Sequence, residues 1–275
     1  MTALFGELFS YTFIVRALAA GTLIAFCSAL LGVSLVLKRY SMIGDGLSHV
    51  GFGAFAVALA LNASPLAVAI PIVVAAAFLL LRISSNAKIK GDAAVALISS
   101  SALAIGVIIV SSSVGINTDI YNYMFGSILA VSGNDVIISV ICSVAVIILY
   151  ILFYNRIFAV TFDEDFAKAT GVRTGVYNSL IAVLTAVIVV VGMRLMGALL
   201  ISSLIVFPAL TSMRLCKSFK SVTICGVIVS IVCFIIGIII SFTKGVPAGA
   251  GVVVVNLAAF VIFTLIGIIK NSTAK

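Results

Sequence analysis

The sequence predicts an all-α, polytopic membrane protein with about eight transmembrane helices, nine being the alternative. Of its 275 residues, 64% are hydrophobic and 9% are charged, whereas soluble domains carry about 25% charged residues. The mean hydropathy is +1.41, and the charges fall in clusters between apolar stretches long enough to cross a bilayer. Residues 1–275 are therefore expected to form a single transmembrane domain.

Uncharged apolar stretches predict the helices one by one. They cover residues 17–37, 46–81, 93–118, 136–155, 174–193, 195–213, 221–243 and 245–269. A spanning helix needs about 20 residues, so the second stretch is too long for one helix, and the turn signal at residues 62–65 divides it into two. The count is eight, or nine if residues 11–37 and the short segment after Gly46 both cross completely.

Charge placement predicts the orientation of these helices. Basic residues concentrate in the segments 38–39, 82–90, 156–173, 214–220 and 270–275, which the positive-inside rule assigns to the cytoplasm. The segments 62–65, 119–135, 192–197 and 244–251 carry little charge and are expected to face outward or to lie within the membrane. Because the net charge of +8 comes from the cytoplasmic clusters, it indicates orientation and no nucleic-acid partner.

Asp45 and His49 form the first candidate site. They are four residues apart and so share one face of a helix, and the chain has only 1 histidine. A carboxylate and a neutral imidazole suit zinc, manganese or iron, and an ionisable pair inside a membrane segment indicates function. The alternative is a helix-capping aspartate beside a hydrogen-bonded histidine. Two ligands do not close a metal site, so a second chain, water or other groups must complete it.

Small residues and a proline mark candidate pathway or packing positions. Gly44, Gly46 and Ser48 surround the pair, where glycine permits a close approach of helices or a bend. Ordinary packing between membrane helices is the alternative. Gly197 and Pro208 belong to a later small-residue segment, in which the proline frees a backbone carbonyl. That helix either lines a pathway or is a proline-kinked packing helix.

The segment 163–173 is the second candidate site and predicts a short amphipathic helix on the cytoplasmic side. Asp163 can cap this helix, and Gly171 can end it. Phe166, Ala167 and Val172 are then available to enter a groove on a partner protein. A solvated loop between two helices is the alternative.

Other segments carry no catalytic pattern. Residues 123–132 form a weakly charged amphipathic connection, and the segment 244–251 predicts a turn or a segment that dips into the membrane. Phosphate-binding, zinc-protease and nucleophile-elbow motifs are missing from the sequence, so we expect no ATP hydrolysis by this chain. The 5 cysteines form no CxxC pair and are expected to be buried apolar residues.

Several stretches, taken together and in order, resemble the membrane permeases of ATP-binding-cassette importers for zinc, manganese and iron. The stretches are residues 35–56, 123–136, 162–178, 192–211 and 246–254. Each is a weak signal by itself, but the similarity extends from about residue 9 to residue 269. One departure is Gly46, where this family commonly has alanine.

The resemblance implies a type II-like importer permease that forms a homodimer among the lipids of the plasma membrane, which is the inner membrane in a Gram-negative host. It implies cytoplasmic ATPase subunits that bind the ATP and an extracytoplasmic metal-binding protein that delivers the ion. The transported ion would be Zn²⁺ or Mn²⁺, with Fe²⁺ less favoured, and no cofactor would be bound permanently.

The resemblance also assigns residues. By position, Asp45 and His49 match the intramembrane metal site of the family, and residues 163–173 match the coupling helix that docks on the ATPase. The docking residues carried over are Asp163, Glu164, Asp165, Phe166, Ala167, Lys168, Gly171 and Arg173.

A self-sufficient secondary transporter that couples metal uptake to protons is the alternative function for the same pair. It predicts uptake that follows a pH gradient when this chain is alone in a membrane. The importer, in contrast, requires the ATPase subunits and ATP.

Overall fold

The computed structural model describes residues 12–84, 91–112 and 133–273, whose regular structure is helical. The helices are α1 (Thr12–Leu37), α2 (Ser41–Ala60), α3 (Pro65–Ser84), α4 (Gly91–Ser111), α5 (Gly133–Leu152), α6 (Tyr154–Phe162), α7 (Glu164–Ala169), α8 (Thr174–Met196), α9 (Ala198–Met213), α10 (Phe219–Lys244) and α11 (Ala248–Thr273). The predicted connection over residues 123–132 lies outside the described residues.

Among the described residues, 8 helices are long and apolar enough to cross a bilayer: α1, α2, α3, α4, α5, α8, α10 and α11. The predicted all-α membrane fold and its helix count are confirmed. The turn between α2 and α3 is confirmed as well, since α3 begins at Pro65. The sequence left open whether α1 and α2 both cross the membrane completely. In the structure α1 has 26 residues and α2 has 20, so both are long enough. The short apolar helix is instead α9, with 16 residues.

Helices α1, α2 and α8 form the centre of the bundle. In each of them, 72% of an 18-residue apolar segment is buried inside the structure, compared with 17% in α11. α9 packs against α1, α2, α10 and α11. Because lipid tails are as apolar as the protein core, membrane helices associate closely through small residues. A β-carbon at Gly32 would lie 2.0 Å from the backbone oxygen of Ile205, so only glycine allows α1 to approach α9 this closely.

The turn between α1 and α2 is tight and regular. The N–H of Tyr40 donates to the carbonyl of Leu35 (2.8 Å), and the N–H of Arg39 donates to that of Val36 (3.1 Å). These bonds form a Schellman motif, whose left-handed position usually holds glycine. Here it holds Arg39, with a φ of 61°. α2 begins at Ser41, so the end of α1 and the start of α2 are held together by backbone bonds.

Gly197 separates α8 from α9 without a loop. Its φ of 86° and ψ of 160° lie in a region that is open essentially to glycine alone. The sequence indicated a pathway or packing role for this residue. In the structure it is the backbone break that lets α9 start directly after α8.

Candidate metal site and cytoplasmic helix

Asp45 and His49 lie on α2 and share the open face of its first half. Both are partly exposed, whereas the other residues from position 43 to position 56 are buried. Nε2 of His49 is 3.6 Å from Oδ2 of Asp45, and the two side chains are 32% and 47% exposed, respectively. A carboxylate and an imidazole therefore face the same space at the surface of the chain.

Ser202 on α9 supports the carboxylate of Asp45. Its hydroxyl oxygen is 3.1 Å from Oδ1 of Asp45 and 3.1 Å from the carbonyl oxygen of Ala198, so it can donate its proton to either acceptor. The two carboxylate oxygens thus have different neighbours, since Oδ2 faces His49. Sequence reasoning missed this contact, because Ser202 lies 157 positions from Asp45 and was seen only as one of several small residues.

As a metal site the pair would offer two protein ligands, which is too few to enclose an ion. Within the residues that the structure describes, no group of three or more His, Cys, Asp and Glu side chains could hold a metal. Structural zinc sites almost always have four ligands. A second chain, water or other groups would have to complete such a site.

Exposed apolar residues lie on the two helices that carry the pair and Ser202. Met42 on α2 is 52% exposed, and on α9 Leu199 is 43% and Leu210 is 36% exposed. Ser202 is partly exposed between these two leucines. The carboxylate and the imidazole therefore open onto the apolar surface of membrane helices, where an uncovered ionisable pair is costly.

The predicted pathway or packing residues on α2 are buried behind the pair. A β-carbon at Gly44 would lie 2.9 Å from Cδ1 of Ile205, and one at Gly46 would lie 2.6 Å from Cγ1 of Val95. An alanine at position 46 would therefore require Val95 to move. The hydroxyl of Ser48 donates to the carbonyl of Asp45 in its own helix (2.7 Å). The two glycines thus lie at close contacts between helices, and the hydrogen bond of Ser48 stays within α2.

Pro208 is buried inside α9. The structure thus places the predicted proline within a helix, as the sequence indicated. A pathway role for Pro208, as for Gly197 and the small residues of α2, stays a prediction.

The segment 163–173 contains the short helix α7. The N–H of Phe166 donates to Oδ1 of Asp163 (2.9 Å), which caps the helix. At the other end Gly171 has a φ of 83°, and the N–H of Val172 donates to the carbonyl of Ala167 (3.0 Å). The start and the end of this helix therefore follow the predicted pattern.

The two apolar sides of α7 differ in exposure. Phe166 is 66% exposed and the nearby Phe162 is 77% exposed. Ala167 and Val172 are buried against Val160 of α6. The prediction that Ala167 and Val172 are available to a partner is wrong, because they attach α7 to the rest of the chain.

The charged side chains of this segment also divide into two groups. Asp165 is 99% and Lys168 is 57% exposed, and Arg173 is exposed as well. Glu164 is 36% exposed and lies 3.4 Å from Nζ of Lys38. Asp165, Lys168 and Arg173 therefore present charge at the surface of the chain, while Glu164 points back to the transmembrane helices.

An ion pair that sequence reasoning missed joins two helix ends. Nη2 of Arg194, near the end of α8, is 3.5 Å from Oδ2 of Asp135, near the start of α5. Opposite charges beside two apolar stretches were the available signal.

Elsewhere, Cys27 and Cys233 are buried as expected, whereas the other three cysteines are partly exposed.

The described chain is a bundle of membrane-length helices with an ionisable pair on a central helix, and such pairs mark functional sites in membrane proteins. The model of the ABC 3 transport family matches residues 10–267. The chain belongs to this family, as the sequence motifs predicted.

Named relatives agree on metal transport and differ in the metal. The manganese transport system membrane protein MntC of Halalkalibacterium halodurans is 26% identical over 94% of this chain and 89% of its own length. The high-affinity zinc uptake system membrane protein ZnuB of Haemophilus influenzae is 28% identical over 90% of this chain and 94% of its own length. A probable iron transport system membrane protein of the same organism is 31% identical, over 93% and 90%.

A solved structure has the same fold. PsaBC from Streptococcus pneumoniae, determined in complex with Fab, superposes with a TM-score of 0.86 at 28% sequence identity. The match covers 96% of this chain and 95% of that one. The chain is a multi-pass membrane protein with the fold of metal-transport permeases.

Proposed function

We propose that this chain is the permease subunit of an ATP-driven importer for divalent transition-metal ions, with Zn²⁺ or Mn²⁺ as cargo and Fe²⁺ less favoured. The observation that carries the proposal is the Asp45–His49 pair on the open face of a central helix. Its oxygen and nitrogen donors suit each of these ions. Family membership and the metals named for the relatives support the same class of cargo.

Two copies of the chain would complete the metal site. A two-fold interface brings the same surface of both copies together, so it would supply two carboxylates and two imidazoles, enough for four ligands. The apolar surface around the pair, with Met42, Leu199 and Leu210 exposed, is the surface we assign to this homodimer. A second copy would also remove the ionisable pair from lipid.

Transport requires that this site bind the ion transiently. The ion would enter from an extracytoplasmic metal-binding protein, be held by Asp45 and His49 of both copies, and leave when the pathway opens to the cytoplasm. Binding must be strong enough to admit the ion and weak enough to release it. A half-exposed pair that is completed only between two copies fits this requirement. When the copies separate, each keeps only two of the four ligands, and the ion is held less tightly.

ATP hydrolysis would take place on separate ATPase subunits at the cytoplasmic side. We assign their docking surface to α7 and its flanks, because Phe166 and Phe162 are exposed there beside the charges of Asp165 and Lys168. Exposed aromatic residues in a charged surround are typical anchors of protein interfaces. The permease itself would have no enzymatic role, and the assembly would lie in the plasma membrane.

The test compares uptake by variants in the host. The chain is deleted and then restored at matched expression as wild type, as the double variant Asp45→Asn with His49→Ala, or as Asp92→Asn. Asp92 is an exposed carboxylate in the first turn of α4 and controls for the loss of one charge. Cell zinc, manganese and iron are measured by mass spectrometry.

We expect the cell content of one metal to fall on deletion. It should recover with wild type and with Asp92→Asn, but not with the double variant. Full recovery with the double variant would refute the proposed metal site. Liposomes that contain this chain alone separate the importer from the secondary transporter. Metal uptake driven by an imposed pH gradient, without ATPase or ATP, would refute the importer.

A further inference from the structure

Lys38 joins the transmembrane helices to the cytoplasmic helix α7. It follows the last residue of α1, and its side chain is 8% exposed. Nζ of Lys38 donates to the carbonyl of Val160 in α6 (3.1 Å) and to Oε2 of Glu164 in α7 (3.4 Å). It also donates to Oδ1 of Asn178 in α8. One ammonium group therefore contacts three separate elements.

The three contacts satisfy the ammonium group of Lys38 in full. An ammonium has three donors, and each has an acceptor here. Burial lowers the pKa of Lys38, and the carboxylate of Glu164 opposes this effect. Burial also opposes the ionisation of Glu164, yet a hydrogen bond from Asn178 and the charge of Lys38 hold the pKa of Glu164 below its ordinary value. The charged pair is thus stabilised by its immediate neighbours.

Lys38 is rigidly connected to the helix that carries the metal pair. It lies in the Schellman turn, whose backbone bonds fix Arg39 and Tyr40 relative to α1. Tyr40 immediately precedes α2, and the carboxylate of Glu164 contributes, after burial, to raising the pKa of Tyr40. Asp45 lies one helical turn beyond Ser41, the first residue of α2. Glu164 is therefore linked through Lys38 to the start of α2.

Apart from this link, α7 packs mainly against α6 and α8. Ala167 and Val172 hold it against Val160, so its apolar contacts lie away from α2. A displacement of α7 would reach α6 and α8 through these packed side chains. It would reach α2 along two routes, through α8, which also packs against α2, and through the polar contacts of Lys38, which lies in the turn that precedes α2.

We propose that Lys38 is a positioning residue that transmits movement of α7 to α2 and thereby couples ATP hydrolysis to opening of the metal site. The inference rests on the proposed function, because it assigns a role to Lys38 within that importer. Lys38 is not part of the metal pair, and it contacts α7 only at Glu164, which points back to the transmembrane helices. Its role follows from the three elements that its side chain joins.

The experiment measures how many metal ions are transported for each ATP hydrolysed. The complex of this chain with its ATPase subunits is purified from the host and reconstituted in liposomes, as wild type, Lys38→Met or Lys217→Met. Lys217 is an exposed cytoplasmic lysine in the connection between α9 and α10, so Lys217→Met is the same substitution outside the link. The ratio does not depend on how much complex is recovered, which separates coupling from a purely structural role.

We expect Lys38→Met to hydrolyse ATP but to transport about tenfold less metal per ATP, a change within the usual range for coupling between two sites. Lys217→Met should keep the wild-type ratio. If Lys38→Met does not assemble, Asn178→Leu replaces it, since leucine keeps the branched shape of asparagine and removes the acceptor. An unchanged ratio in the assembled variant, or an equal fall in Lys217→Met, would overturn the inference.

The same experiment distinguishes the inference from the function on which it rests. If the wild-type complex hydrolyses ATP and transports no metal, the proposed function fails. If wild type transports metal and Lys38→Met transports it with the same ratio, only the role of Lys38 fails.

Discussion

Replacing Ser202 by alanine should weaken metal binding at the proposed site without unfolding the protein. The substitution removes the hydroxyl that lies 3.1 Å from Oδ1 of Asp45. Alanine favours the helix, and Ser202 is only partly buried, so α9 should keep its structure. The carboxylate then loses a partner that orients it toward the ion.

The size of the effect follows from the hydrogen bond that is lost. A hydrogen bond to a charged group contributes about 1.5–3 kcal/mol, and each 1.4 kcal/mol or so is about tenfold in an equilibrium constant. Loss of an outer partner of a metal ligand usually costs about 10- to 100-fold in affinity. Because the same hydroxyl can also donate to the carbonyl of Ala198, we expect the lower end, about tenfold.

The assay is uptake of radioactive zinc or manganese as a function of external metal concentration, at matched expression. Ser203→Ala is the control, because the hydroxyl of Ser203 donates to the carbonyl of Leu200 in its own helix (2.9 Å). We expect the half-maximal concentration to rise in Ser202→Ala and to stay constant in Ser203→Ala. The same half-maximal concentration in both variants would refute the reasoning.

Three further predictions follow from the geometry. Gly197→Ala should cost about 1–3 kcal/mol of stability because of its backbone conformation. Gly175→Ala is the control, because its β-carbon would meet no neighbour within 4 Å and alanine favours the helix, so this variant should not lose stability. Equal melting temperatures of the two variants in thermal unfolding would contradict the prediction. Since the pKa of Glu164 is lowered from 4.5, its stabilising effect should be present above that pH and disappear as the pH falls through the lowered value. Proteolysis of the segment 163–173 should therefore increase in acid, and in Glu164→Gln this pH dependence should be smaller, because only the other carboxylates of the segment still titrate. Phe166→Ala should reduce co-purification of the ATPase, because loss of an interface anchor costs about 2 kcal/mol or more. Leu61→Ala is the control and should not reduce it, because Leu61 is similarly exposed but lies just after the last residue of α2, away from α7.

The sequence alone determines the class of fold and the local ends of its helices. The composition and the apolar stretches leave no soluble alternative, because 9% charged residues cannot cover a soluble surface. Local signals such as Asp163, Gly171 and Pro65 act within a few residues of the chain. For this reason the capping of α7 and the start of α3 could be predicted from sequence neighbours. The Asp45–His49 pair was predictable for the same reason, since the helical period places both residues on one face.

Only the tertiary structure decides which distant residues meet. The contact of Ser202 with Asp45, the three partners of Lys38 and the pairing of Arg194 with Asp135 each join different helices. In a soluble protein an amphipathic pattern shows which face of a helix is buried. In this chain lipid and core are both apolar, so the sequence does not mark the inward face of a helix. The rotation of each helix, and with it the burial of Ala167 and the partners of Lys38, follows from close packing between helices.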